Sequence, residues 1–158
     1  MEILDRIKII IDRFTEKNIR IALAESCTGG YISHMITNIS GSSKVFDRGV
    51  VSYSNLAKIE ILGVNSDDIK EYGAVSKPVA EQMAEKIRLG AKVDIGIGVT
   101  GIAGPTGATP EKPLGLVYIG FSTENKTFVD KYIFKTDRIN FKKLVLGKII
   151  DFLENFIS

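Results

Sequence analysis

At 158 residues the chain has the length of one domain, enough to hide roughly 70% of its unfolded surface in a core. Its 44% apolar and 25% charged content is that of an ordinary soluble protein, and a net charge of +2 is too small to make nucleic acid or a membrane surface the default partner. A single cysteine, Cys27, excludes an internal disulfide, and together with the single histidine, His34, it speaks against a dedicated zinc site, so neither a metal nor a cofactor is expected.

The early acids Glu2 and Asp5 do not fit a basic export leader, and no apolar stretch is long enough to span a bilayer. A cytoplasmic location is the expectation, which makes the triplets beginning at Asn38 and Asn125 chance matches to a glycosylation pattern. Ile3, Leu4, Ile7, Ile10, Ile11 and Phe14 recur at three- and four-residue steps and predict a first amphipathic helix. A compact strand from Ile19 to Ala24 follows, ending at Glu25-Ser26-Cys27-Thr28-Gly29-Gly30, a strand-to-helix junction rich in small residues. A helix is expected from Thr28 to about Asn38, a loop at Gly41, and a second strand from Gly49 to Tyr53. Asn55 is placed to cap a short helix that Gly63 would stop.

Ser76 and Pro78 signal another helix, with Val79, Met83, Ala84 and Ile87 facing inward as far as Gly90. A strand from Val93 to Val99 leads into a loop from Thr100 to Pro113. Two strands then lie close enough to form an antiparallel hairpin, Gly115 to Phe121 and Thr127 to Phe134. A last helix begins near Asp137, with Phe141, Leu144, Val145, Ile149, Phe152, Leu153 and Phe156 as its apolar stripe. This order predicts one α/β domain over residues 1–158, three layers α/β/α around a mixed five-stranded sheet.

Three segments gather small and polar residues at strand ends, where open α/β sheets bind ligands: Ala24 to Gly30, Val51 to Lys58, and Val99 to Gly107. Ser26 stands where backbone amides can form an oxyanion hole, although the same position suits a simple N-cap. His34 would lie two turns into the following helix, which disfavours a serine–histidine–aspartate triad. Tyr53 and Lys58 are the alternative partners, because burial or nearby charge can lower such a group's pKa and let it take a serine proton. By position alone they are equally a strand-end tyrosine and a solvated lysine. The string Gly96-Ile97-Gly98-Val99-Thr100-Gly101 satisfies Gly-x-Gly-x-x-Gly, but its first glycines fall inside a strand and Gly104-Pro105 follows instead of a helix. It is not a dinucleotide fingerprint. The amides from Thr100 to Gly107 could still approach a phosphate or ribose, or simply form a long turn.

Five strings in order resemble the CinA C-terminal domain family, also known as the nicotinamide mononucleotide deamidase family: residues 24–30, 49–58, 73–76, 99–105 and 109–115. The resemblance implies a five-stranded mixed sheet, no metal, and hydrolysis of the nicotinamide carboxamide to nicotinate and ammonia. It puts the nucleophile on Ser26, its tyrosine and lysine on Tyr53 and Lys58, a glycine-loop threonine on Thr100 and a basic residue on Arg138. The chain departs from the family where Gly104-Pro105-Thr106-Gly107-Ala108-Thr109 replaces a Gly-Pro-Gly-Gly-Gly-Thr loop, and where Thr136 replaces the glycine of Gly-Asp-Arg. Longer relatives are implied to carry another domain before this one, whereas this chain is expected to stand alone.

The expected route is an acyl-enzyme at Ser26, with Lys58 and Tyr53 managing the proton. Substrate contacts fall on Thr28, Gly29, Gly30, Thr100, Gly101, Gly104 and Arg138. The partner expected is a small nucleotide, without nucleic acid or membrane, and self-association is left open. Cys27 is the competing nucleophile, and Glu25 is given no catalytic role. The alternative from another class is a catalytically silent nucleotide-binding or interaction module of the competence/damage-inducible type.

Overall fold

The first apolar stripe forms helix α1 (Ile3–Lys17), which buries Ile7, Ile10, Ile11 and Phe14 and ends where Asn18 turns left-handed. A computed structural model describes residues 1–158. Strand β1 (Ile21–Glu25) lies between β2 (Phe46–Val51) and β3 (Ile95–Gly101) and is parallel to both. Strands β4 (Leu116–Ser122) and β5 (Thr127–Ile133) continue the sheet as the expected antiparallel hairpin, giving the order β2-β1-β3-β4-β5. The sheet is five-stranded and mixed, with helices on both faces.

Period-two alternation decides what each face meets. From β1, Ile21 and Leu23 join a core shared with α1, α2 (Tyr31–Thr37) and α6 (Arg138–Ile157). Ala22 and Ala24 point the other way, onto the core of α4 (Ser66–Tyr72) and α5 (Lys77–Ala91). On that second face the sheet is almost bare of side chains. A Cβ on Gly96 would stand 2.2 Å from the Ala84 carbonyl oxygen, one on Gly98 2.6 Å from the Ala84 nitrogen, and one on Gly120 2.4 Å from the Ala80 carbonyl oxygen. The glycines of the Gly-x-Gly pattern therefore let α5 lie directly on the sheet backbone.

Several boundaries differ from those expected. The helix after β1 starts at Tyr31 rather than Thr28, because Gly29 and Gly30 adopt φ of 59° and 95° and carry the chain through a turn first. Ser26 is consequently not a helix cap. Strand β2 stops at Val51, so Tyr53 lies beyond the strand rather than at its end. The short helix α3 (Asn55–Ala57) is capped by Ser54, whose hydroxyl accepts from the Ala57 amide, not by Asn55. It continues as a π-helical turn, Lys58–Leu62, that ends at Gly63. Helix α4, unanticipated, is capped by Asn65, which accepts from the Asp67 and Asp68 amides. Ser76 caps nothing with its side chain, its hydroxyl donating instead to the Gly73 carbonyl. In α6 the expected stripe is shifted: Leu144 and Phe156 are exposed, while Leu146 and Ile150 are buried. No helix is long and apolar enough to cross a membrane.

Candidate active site

Three parallel strand ends, β1, β2 and β3, define the edge at which the site is built. Ser26 directly follows β1, and its amide donates to the Val99 carbonyl at 3.1 Å, so the β1–β3 ladder runs one residue past the strand. The neighbouring strand is held alongside by the Ser52 amide, which donates to the Glu25 carbonyl at 2.8 Å. The chain then turns back through α3 and the π-helical turn, with Leu62 and Val64 packed in the α4–α5 core as its anchor. That return delivers Lys58 to Ser26.

The Lys58 Nζ lies 2.9 Å from Ser26 Oγ, 3.0 Å from the Ser52 carbonyl oxygen and 3.3 Å from that of Tyr53. Lys58 is only 1% exposed and has no carboxylate among its hydrogen-bond or ion-pair partners. Burial therefore pushes its pKa below the ordinary lysine value. The count of partners fits either protonation state. An ammonium donates to all three oxygens, whereas a neutral amine gives its two hydrogens to the carbonyls and turns its lone pair to the Ser26 hydroxyl. This arrangement can remove a proton from Ser26.

Ser26, Cys27, Tyr53 and Lys58 line a cavity of about 260 Å³, together with Ala74, Val75, Arg138 and most of the loop from Thr100 to Gly107. Tyr53 is 60% exposed, and its hydroxyl accepts from Arg138 Nη2 at 3.3 Å, bridging the mouth from the β2 side to the start of α6. The tyrosine approaches Lys58 through its carbonyl, not its hydroxyl. Gly101 and Gly104 line the cavity, and so does Thr100, whose hydroxyl donates to the Ala74 carbonyl at 2.9 Å. Thr100 thus ties the 73–76 loop over the end of β3. Thr28, Gly29 and Gly30 lie outside the cavity lining: the Thr28 hydroxyl is buried against Glu25, and the Gly29 amide donates to the Ser26 carbonyl.

Cys27 is buried at the cavity wall, and burial raises its thiol to about 12, which keeps it protonated and inert at neutral pH. His34 sits on α2 with its ring against Asn38, not in the site. No group of three or more His, Cys, Asp or Glu converges as metal ligands would. Sequence reasoning took Asn55 only as a helix cap and missed Ala74 and Val75 as lining residues. Ala74 and Val75 fall in one of the five matched strings, which was the available signal. A larger apolar groove of about 680 Å³ shares Ala103, Gly104 and Arg138 with this cavity but contains neither Ser26 nor Lys58.

The family model described as the CinA C-terminal domain matches residues 5–157. A competence-damage inducible protein homologue of Thermoanaerobacter pseudethanolicus is 46% identical over 150 residues, covering 95% of this chain and 36% of that protein. A CinA-like protein of Kosmotoga olearia is 43% identical, covering 92% of this chain and 35% of that protein. The chain thus spans about a third of the length of these curated relatives. The crystal structure of a competence/damage inducible protein from Agrobacterium tumefaciens superposes with a TM-score of 0.88 at 36% identity, covering 98% of this chain and 93% of that one.

Proposed function

The chain belongs to the CinA C-terminal domain family, and we propose that it is an amidohydrolase that converts nicotinamide mononucleotide to nicotinate mononucleotide and ammonia. The observation that carries this reading is the 2.9 Å contact between Ser26 Oγ and the buried Lys58 Nζ beside an open cavity. A lysine whose pKa is lowered by burial is a base for serine, and Ser26, at a turn after a strand, lines the cavity in which a carbonyl can be attacked. Neutral Lys58 takes the hydroxyl proton as Ser26 Oγ adds to the carboxamide carbon. The oxygen of the tetrahedral intermediate is met by the backbone amide of Cys27, which borders the cavity and donates to no other residue. Lys58 then gives its proton to the departing nitrogen, ammonia leaves, and water repeats the sequence to release the acid.

The Tyr53 ring at the mouth is the wall against which the pyridinium ring lies. Arg138, with the unpaired amides between Ala103 and Gly107, receives the phosphate. The reaction is assigned to the cytoplasm, with this small nucleotide as partner and no cofactor. Ammonia release from purified protein given nicotinamide mononucleotide tests the reading, with Ser26→Ala as the control. Loss of one buried hydroxyl leaves the fold intact but removes the nucleophile, so turnover disappears. A folded Ser26→Ala protein that still deamidates at near-normal rate refutes the covalent route, and a wild-type protein that binds the nucleotide without turnover makes the site a binding module.

A further inference from the structure

Glu25 immediately precedes Ser26 and is completely buried, yet no cation pairs with it. Its carboxylate instead accepts four hydrogen bonds. Oε1 takes the Thr28 hydroxyl at 2.7 Å and the Ile32 amide at 3.0 Å, and Oε2 takes the Ser33 amide at 2.9 Å and the Ser33 hydroxyl at 2.6 Å. Two backbone amides and two hydroxyls give a buried charge the compensation it needs, and the amides belong to the first turn of α2, where the helix dipole favours an anion. Both oxygens are occupied, so Glu25 has no lone pair directed at Ser26 and carries no proton in the reaction.

The donors lie at residues 28, 32 and 33, and the acceptor lies at 25. The carboxylate therefore fastens the start of α2 to the end of β1 and closes the intervening turn at both ends. Within that turn Gly29 donates to the Ser26 carbonyl and Tyr31 to the Thr28 carbonyl, while the Cys27 amide donates to no other residue and Cys27 borders the cavity. Alternation along β1 adds the direction: Glu25 faces α2 while Ser26 faces Lys58, so the anchor and the nucleophile occupy opposite sides of one backbone.

We infer that Glu25 is a positioning residue for the reaction at Ser26: through Thr28, Ile32 and Ser33 it holds the turn so that the Cys27 amide meets the oxygen on which charge develops. The inference rests on the serine chemistry proposed above. Glu25→Gln keeps the volume but sets an amide NH2 group against the donors of one oxygen. The turn is then released while Lys58 keeps all its partners.

The experiment measures steady-state deamidation by Glu25→Gln and, independently of any nucleotide, the rate at which a fluorophosphonate labels Ser26. The expected result is a loss of about 100-fold in kcat with a parallel fall in labelling rate, the size seen on removing one oxyanion donor. KM changes by less than about threefold, and the rise of rate with pH keeps its midpoint, because Lys58 does not touch Glu25. Thr28→Val removes one of the four donors and gives a smaller loss with the same signature, which keeps the test open if Glu25→Gln does not fold. A kcat per folded site within about threefold of wild type, or a loss carried by KM alone, overturns the inference. Wild-type protein that labels at Ser26 but releases no ammonia overturns the proposed substrate, and the labelling rates then decide on Glu25. No labelling of wild type overturns both.

Discussion

Replacing Lys58 by methionine isolates the proton transfer. The methionine fills a similar volume but has no lone pair at the 2.9 Å contact with Ser26 Oγ. No other base stands in reserve: the Tyr53 hydroxyl is engaged by Arg138, His34 is on α2 against Asn38, and both Glu25 oxygens are filled. General-base removal costs about 10²- to 10⁴-fold, or about 3–5 kcal/mol of transition-state stabilisation, and here the full range applies because nothing substitutes. The wild-type rate should rise with pH through the lowered Lys58 pKa, and Lys58→Met should lose that rise. Stability supplies a separate check. The folded pKa is depressed below the unfolded lysine value, so between the two values the unfolded chain holds the extra proton. Wild-type stability therefore increases with pH across that window and is lost as pH falls through the folded value. Urea unfolding at about pH 7 and about pH 10 should show the increase in wild type and a smaller one in Lys58→Met. Ammonia assays that find Lys58→Met within tenfold of wild type, or a wild-type rate that falls with rising pH, refute Lys58 as the base.

Cys27→Ala should keep kcat/KM within about threefold, and thiol reagents at neutral pH should not inactivate, because a buried thiol raised to about 12 supplies no thiolate. Arg138→Ala should weaken use of the mononucleotide by about 30-fold, equivalent to about 2 kcal/mol, and affect the phosphate-free riboside far less. Equal losses on the two substrates in parallel kinetics would remove the phosphate assignment. Gly96→Ala should destabilise the protein by about 1–3 kcal/mol or more, since its Cβ meets the Ala84 carbonyl oxygen at 2.2 Å and helix backbone cannot rotate away. An unchanged denaturation midpoint would mean that α5 sits farther from the sheet.

The α1 stripe was legible because its burial is one-sided: the structure buries Ile7, Ile10, Ile11 and Phe14, and of the expected stripe leaves Leu4 exposed. The β4–β5 hairpin was legible for another reason, two strand-forming runs separated by a short polar turn, and it pairs Leu116 with Ile133 through Ser122 with Thr127 although β4 is buried on both faces. The α6 stripe was less legible, because apolar residues flank the central row Phe141, Val145, Ile149 and Leu153 on both sides and only tertiary packing selects Leu146 and Ile150 over Leu144 and Phe156. Capping was misread for a similar reason. Ser54 and Asn55 are both good caps, and the choice follows from where β2 releases the chain, which Ser52 bonding to the Glu25 carbonyl decides. The candidate site divided along the same line. Its strings could be read locally, but the contact between Lys58 and Ser26 spans 32 residues and depends on a π-helical turn that has no sequence period.

The two faces of β1 explain why a nucleophile and its anchor can be adjacent in sequence. Ile21, Leu23 and Glu25 point to the α1, α2 and α6 layer, where Glu25 finds the amides of α2 in place of more hydrocarbon. Ala22, Ala24 and Ser26 point to the α4–α5 layer, and these residues, like Gly96, Gly98 and Gly120 beside them, are small. Small residues let α5 settle on the backbone of the sheet, which carries the 73–76 loop ahead of α5 close enough for Thr100 to bind the Ala74 carbonyl. The same shallow face leaves room at the strand ends for Lys58 to be covered without a carboxylate beside it. Burial without a counter-charge is what lowers its pKa. A large side chain at Ala24 or Gly98 would therefore do more than loosen packing: by lifting α5 it would carry the 73–76 loop away from Thr100 and move Ala74 and Val75 out of the cavity wall, reshaping the site while leaving every one of its residues in the sequence.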